Sequence, residues 1–120
     1  MRKSVCIIDD DDDVRDVVAY ALEDDGFTVM PFSNPEEALE SLEISGSLPG
    51  FFLLDYHMPR MNGVSFIRKI RSDYIDTLGR IPVALISANG SIIDLPEDVI
   101  ELQKPMDLDV LLDLVRDHCL

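Results

Sequence analysis

Asp9, Asp10, Asp55, Ser87 and Lys104 stand out by type and by place. Each follows a stretch that reads as a strand: the acid pair after the apolar run 5–8, Asp55 after 51–54, Ser87 after 81–86 and Lys104 after the weaker, mixed stretch 99–103. Carboxylates gathered in one pocket raise one another's pKa unless a cation offsets them. An all-oxygen ligand set suits a hard divalent ion, and magnesium is the expected occupant. A magnesium site with spare coordination positions, a carboxylate nucleophile, a hydroxyl and a lysine are together the parts for phosphoryl transfer to an aspartate. In that chemistry Asp55 attacks phosphorus, the metal neutralises equatorial oxygens, Ser87 hydrogen-bonds one oxygen and Lys104 pairs with another. The product is an acyl phosphate.

The elements that must position these residues alternate in type. The apolar run 5–8 stops at acids, and Val14, Val17, Val18, Ala21 and Leu22 then recur at helical spacing until Gly26. A second strand over 27–32 is followed by a helix that Ser33 or Asn34 opens before Pro35, with Ala38, Leu39 and Leu42 on one face. A third strand, 51–54, precedes a helix turning Val64, Ile67, Ile70 and Tyr74 inward. Strands over 81–86 and, more weakly, 99–103 follow, then a final helix with Leu108, Leu111, Leu112 and Val115 on its apolar face and Asp107 as its cap. The stretch 89–98 contains Gly90 and Pro96, so any fourth helix there is short or irregular. Strands alternating with helices indicate a doubly wound parallel sheet covered on both faces. Functional groups of such a sheet gather beyond the carboxyl ends of its strands, and an order 2-1-3-4-5 would make strands one and three neighbours, setting the acid pair beside Asp55.

A chain of 120 residues has room for one domain, 1–120. Its 47% hydrophobic and 28% charged content is that of a folded soluble protein. No apolar stretch approaches the ~20 residues of a membrane helix, and Asp9 interrupts the N-terminal region before a signal peptide could develop. A cytoplasmic protein without membrane contact is expected. The net charge of −14 disfavours direct binding to nucleic acid. Cys6 and Cys119 have no metal-ligand spacing and read as a buried thiol and a tail thiol. In the run 9–13, Asp12 or Asp13 is expected to cap the first helix while both favour its positive end, with Asp11 just behind the metal ligands.

Four stretches in order resemble the bacterial response-regulator receiver domains: Ile7-Ile8-Asp9-Asp10-Asp11, Leu53-Leu54-Asp55-Tyr56-His57-Met58-Pro59-Arg60-Met61-Asn62-Gly63, Pro82-Val83-Ala84-Leu85-Ile86-Ser87-Ala88 and Lys104-Pro105. The resemblance covers almost the whole chain. It implies a flavodoxin-like (βα)5 fold of order 2-1-3-4-5 and a Mg2+ ion held by Asp9, Asp10, Asp55 and the backbone carbonyl of His57. It further implies phosphorylation of Asp55 with Ser87 and Lys104 assisting, and a cis peptide before Pro105, a geometry that X-Pro bonds adopt at modest cost. The expected partners are a sensor histidine kinase or phosphotransfer protein and a downstream protein target, with the chain a monomer or a phosphorylation-dependent dimer. Self-phosphorylation and self-dephosphorylation would be its only catalysis, so it is not a conventional enzyme.

Receivers usually carry an aromatic side chain three residues before the lysine; here Glu101 stands there. Output through strands four and five is therefore not expected to follow the family pattern, and the helix 107–118 or the loop 89–98 are alternative faces. His57 and Asn89, beside the pocket, are candidates for tuning the phosphoryl lifetime. Among other aspartate-nucleophile phosphotransferases a second acid is expected two residues on, where this chain has His57. A flavin carrier needs small hydroxyl and glycine donors after strand one, and 9–13 would repel its phosphate. The remaining alternative is a phosphorylation-independent interaction module of the same fold.

Overall fold

The computed structural model describes residues 3–58, 60–88 and 95–120. Five strands, β1 (Ser4–Ile8), β2 (Thr28–Phe32), β3 (Phe51–Asp55), β4 (Val83–Ser87) and β5 (Ile100–Gln103), pair in parallel in the order β2-β1-β3-β4-β5. The helices among the described residues are α1 (Asp12–Asp24), α2 (Pro35–Ser45), α3 (Gly63–Asp73) and α4 (Leu108–His118), with a 3₁₀ turn at Leu78–Arg80 before β4. The sheet order and the doubly wound architecture are those expected. The expectation of a short or irregular helix in 89–98 falls largely on 89–94, outside the described residues; Pro96 to Asp98 form a turn closed by the Val99 N–H on the Pro96 carbonyl (3.0 Å).

Period-two alternation sends the central strands' side chains to two separate cores. Cys6, Ile8, Phe52, Leu54, Val83 and Leu85 face α2 and α3, packing on Ala38, Leu39, Leu42, Phe66, Ile67 and Ile70. Val5, Ile7, Phe51, Leu53, Ala84 and Ile86 face α1 and α4, packing on Val18, Leu22, Leu111 and Val115. Every residue of β3 and β4 is buried, which is why these runs are unbroken rather than alternating. Val17, counted in the apolar repeat of α1, is instead 53% exposed, and Tyr74 is half-buried at the C-cap of α3 rather than inside it, its hydroxyl donating to Glu43.

Side chains fix the helix starts. Asn34 accepts the Glu37 N–H and Asn62 the Ser65 N–H, while Asp107 caps α4 through the Asp109 N–H. For α1 the expected cap is corrected: Asp11, not Asp12 or Asp13, accepts the N–H groups of Asp13 and Val14. Both later acids lie in the first turn, where they meet the positive helix end.

Cys6 is buried as expected. Cys119 is buried too, correcting its reading as a tail thiol. Its Sγ lies 3.5 Å from the Ser4 carbonyl, the Leu120 N–H donates to the Gly50 carbonyl, and a Cβ on Gly50 would stand 2.4 Å from the Leu120 oxygen. Close backbone approach at Gly50 is thus what seats residues 119–120 against the foot of β1 and β3.

Candidate phosphoryl-acceptor site

The carboxyl ends of β1, β3 and β5 bring Asp9, Asp10, Asp55 and Lys104 together, and Ser87 ends the adjoining β4. Parallel pairing of β1 with β3 sets Ile8 opposite Leu54, so the acids that follow arrive side by side. Carboxylate oxygens of Asp9, Asp10 and Asp55 lie within 4.8 Å of one another. Asp9 and Asp55 are buried and Asp10 is exposed.

The ladder continues past the strand ends and holds the site in register. The Asp9 N–H donates to the Phe32 carbonyl (3.1 Å), the Tyr56 N–H to Ile86 (2.8 Å) and the Lys104 N–H to Ser87 (2.9 Å). Asp9 Oδ1 accepts the Asp11 N–H at 2.9 Å and the Arg15 guanidinium donates to the Asp9 carbonyl at 2.8 Å, so the acid pair is oriented from both sides. Asp11 therefore does stand behind Asp9, through its backbone, while its side chain caps α1.

Lys104 Nζ lies 3.5 Å from Asp55 Oδ1, and the peptide between Lys104 and Pro105 is cis. Ser87, 2% exposed at the end of β4, donates its hydroxyl to Glu101 Oε1 at 3.3 Å. Sequence spacing marks the departure at position 101 but carries no signal for the partner its carboxylate finds. His57 is exposed, with its ring edge-on to Tyr56 at 4.9 Å between centroids. Asn89 lies outside the described residues.

Burial pushes the Asp55 carboxyl up to about 6, the Asp9 charge adding to the rise and the Lys104 ammonium opposing it. Asp9 is raised as well, chiefly by burial. The Lys104 ammonium offsets only part of the negative charge of the three acids. Its all-oxygen donor set fits a hard divalent cation that would relieve the repulsion. Beside Asp10 a recess of about 340 Å³ is lined by Ser33, Asn34, Glu36 and Arg60. Arg60 there has a left-handed backbone, φ 69°.

A parallel sheet of order 2-1-3-4-5 with an acid cluster, a hydroxyl and a lysine at its carboxyl edge defines a receiver-type α/β domain. The family model described as "Response regulator receiver domain" matches residues 5–116, and the chain belongs to that family, the receivers of two-component signal transduction. It is 38% identical over 89 residues to the C4-dicarboxylate transport transcriptional regulatory protein DctD of Rhizobium meliloti, a match covering 74% of this chain and 18% of that protein. It is 31% identical over 124 residues to an uncharacterized 14.6 kDa protein of Leptolyngbya boryana, covering 99% of this chain and 92% of that one. The response regulator StyR superposes with a TM-score of 0.84 at 27% identity, over 99% of this chain and 60% of that one. The Vibrio cholerae chemotaxis protein CheY4 superposes at 0.83 with 21% identity, over 98% and 99%, which shows the shared fold. The chain spans about a fifth of DctD and about a third of the transcriptional regulatory protein CseB of Streptomyces coelicolor, 18% and 36% of their lengths.

Proposed function

We propose that the chain accepts a phosphoryl group on Asp55 in a Mg2+-dependent reaction and thereby switches its contacts with other proteins. The observation that carries this reading is the buried Asp55 carboxylate, set among Asp9 and Asp10 with Lys104 Nζ 3.5 Å away. Asp9, Asp10, Asp55 and the His57 carbonyl would hold the metal, whose chemistry is to neutralise charge on the phosphoryl oxygens.

The chain's own groups then have distinct parts. An Asp55 oxygen forms the new O–P bond as the N–P bond of a phosphohistidine breaks, and the departing imidazole takes a proton from solvent. Lys104 exchanges its pairing with Asp55 for a phosphoryl oxygen, and the Ser87 hydroxyl hydrogen-bonds another. Hydrolysis of the acyl phosphate by water restores Asp55. Catalysis of this kind acts on the chain itself and does not make it a conventional enzyme.

The donor would be a sensor histidine kinase or a phosphotransfer protein. An apolar groove of about 380 Å³ lined by Val14, Val17, Val18, Pro105, Met106 and Leu108 opens beside Lys104 and would seat it. A downstream protein would read the modified state, with the chain a monomer or a phosphorylation-dependent dimer. No helix among the described residues is long and apolar enough to cross a membrane, and a cytoplasmic setting accords with partners of this kind.

The test is incubation with a small phosphodonor with and without Mg2+, read by intact mass for the parent chain and Asp55→Asn. The expected result is a Mg2+-dependent gain of one phosphoryl group that the substitution abolishes. No gain, with histidine kinases as donors too, would favour a module that binds partners without phosphorylation.

A further inference from the structure

Strand parity places Glu101 on the same face of the sheet as Ser87. Ile100 and Leu102 pack toward α1 and α4. Glu101, between them, therefore faces the other way, as does Leu85, its register partner in the core toward α2 and α3. Ser87 lies two residues on from Leu85, so its hydroxyl shares that face. Glu101 is only half-exposed, and its Oε1 accepts the Ser87 hydroxyl at 3.3 Å. A serine hydroxyl has one proton to donate. While Glu101 holds that proton, it is not available to an oxygen on Asp55.

We propose that Glu101 is a positioning residue that governs Ser87: it retains the hydroxyl in the unmodified chain and yields it when a phosphoryl oxygen competes for the same proton. This rests on the reading of Asp55 as phosphoryl acceptor. Both competing acceptors are anionic, so their hydrogen bonds to the hydroxyl are of similar strength, and the exchange is close to balanced rather than one-sided. Once Ser87 turns to the phosphoryl group, the carboxylate at position 101 loses its partner and faces a new negative charge nearby, and both effects drive it outward to water. The modification at Asp55 is thereby converted into a displacement at the edge strand β5.

Two kinds of measurement test this on the full chain. The first is side-chain and amide NMR of Ser87 without any phosphodonor: Glu101→Gln and Glu101→Ala should shift the Ser87 resonances, and unchanged resonances would overturn the proposal. The second is the rate of phosphorylation by acetyl phosphate with Mg2+, read by intact mass. Replacing a charged acceptor by a neutral one weakens its hold on the hydroxyl, so Glu101→Gln should react roughly threefold to tenfold faster, and Glu101→Ala at least as fast. In a Ser87→Ala background, Glu101→Gln should change nothing. An equal acceleration there would mean that the lost negative charge acts on the donor directly, which overturns the role assigned through Ser87. A parent chain that gains no mass overturns the acceptor reading and this inference with it, whereas a parent chain that is phosphorylated at the same rate as Glu101→Gln overturns the inference alone.

Discussion

At the residue scale, the site's weakness in the metal-free state is also its signature. Asp55 has a folded-state pKa raised to about 6, against about 3.9 in an unfolded chain. Between those values the folded state binds more protons than the unfolded one, so stability falls as pH rises through the window. The loss is roughly 1–3 kcal/mol at a cost of 1.36 kcal/mol per pKa unit, and the raised Asp9 adds to it in the same direction. Urea unfolding of metal-free protein from pH 4 to pH 7 should show this decline, with a shallower one for Asp55→Asn. A decline of equal size in the variant would place its origin elsewhere. That Asp9, Asp10, Asp55, Ser87 and Lys104 fall at one edge was legible in the sequence because each follows or ends a strand, the first four at buried strands and Lys104 at the half-buried β5, and a polar residue there lies at the sheet's carboxyl edge. The Ser87–Glu101 contact was not legible, since it depends on how β5 is turned against β4, a matter of three dimensions that no spacing records.

At the element scale, the run of five acids at 9–13 could supply a cap for α1 from several positions, and the sequence offers no way to choose among like side chains. The choice is made by Asp9, whose Oδ1 takes the Asp11 N–H and bends the chain so that Asp11 faces the helix end. Asp11→Ala should therefore cost about 1 kcal/mol of stability and Asp13→Ala only a few tenths, the scale of a charge near a helix end. Urea midpoints distinguish the two, and equal losses would reassign the cap. The start of α3 is constrained differently. A Cβ on Gly63 would come within 2.2 Å of Leu85 Cδ1 and 3.1 Å of the Asp55 carbonyl oxygen. Gly63→Ala should cost about 1–3 kcal/mol by overpacking and slow phosphorylation of Asp55. A variant as stable and as reactive as the parent would show that Leu85 yields without disturbing β3. Strands and helices themselves were readable to within one or two residues from their apolar periods, except around 89–98, where glycine and proline interrupt any period.

At the scale of the whole molecule, the sheet order was readable because strands that alternate with helices and are apolar on both faces admit few arrangements, and the two cores divide the helices as that order requires. What the order achieves is electrostatic as well as geometric. In a chain of net charge −14 it gathers three carboxylates at one edge with the Lys104 ammonium beside them. Mg2+ bound there in the folded state, and not in the unfolded chain, stabilises by mass action, about 2.7 kcal/mol at a hundredfold excess over its Kd. For a domain of this size that is a rise of roughly 10 °C in Tm. General screening also relieves repulsion in so acidic a chain, so the comparison must be made against sodium at matched ionic strength. The rise specific to Mg2+ should be present in the parent and largely lost in Asp9→Asn. If both chains gain equally, the ion acts by screening alone and the acid cluster is not its site. A gain confined to the parent places the cation among Asp9, Asp10 and Asp55, at the point where the fold has concentrated its own repulsion.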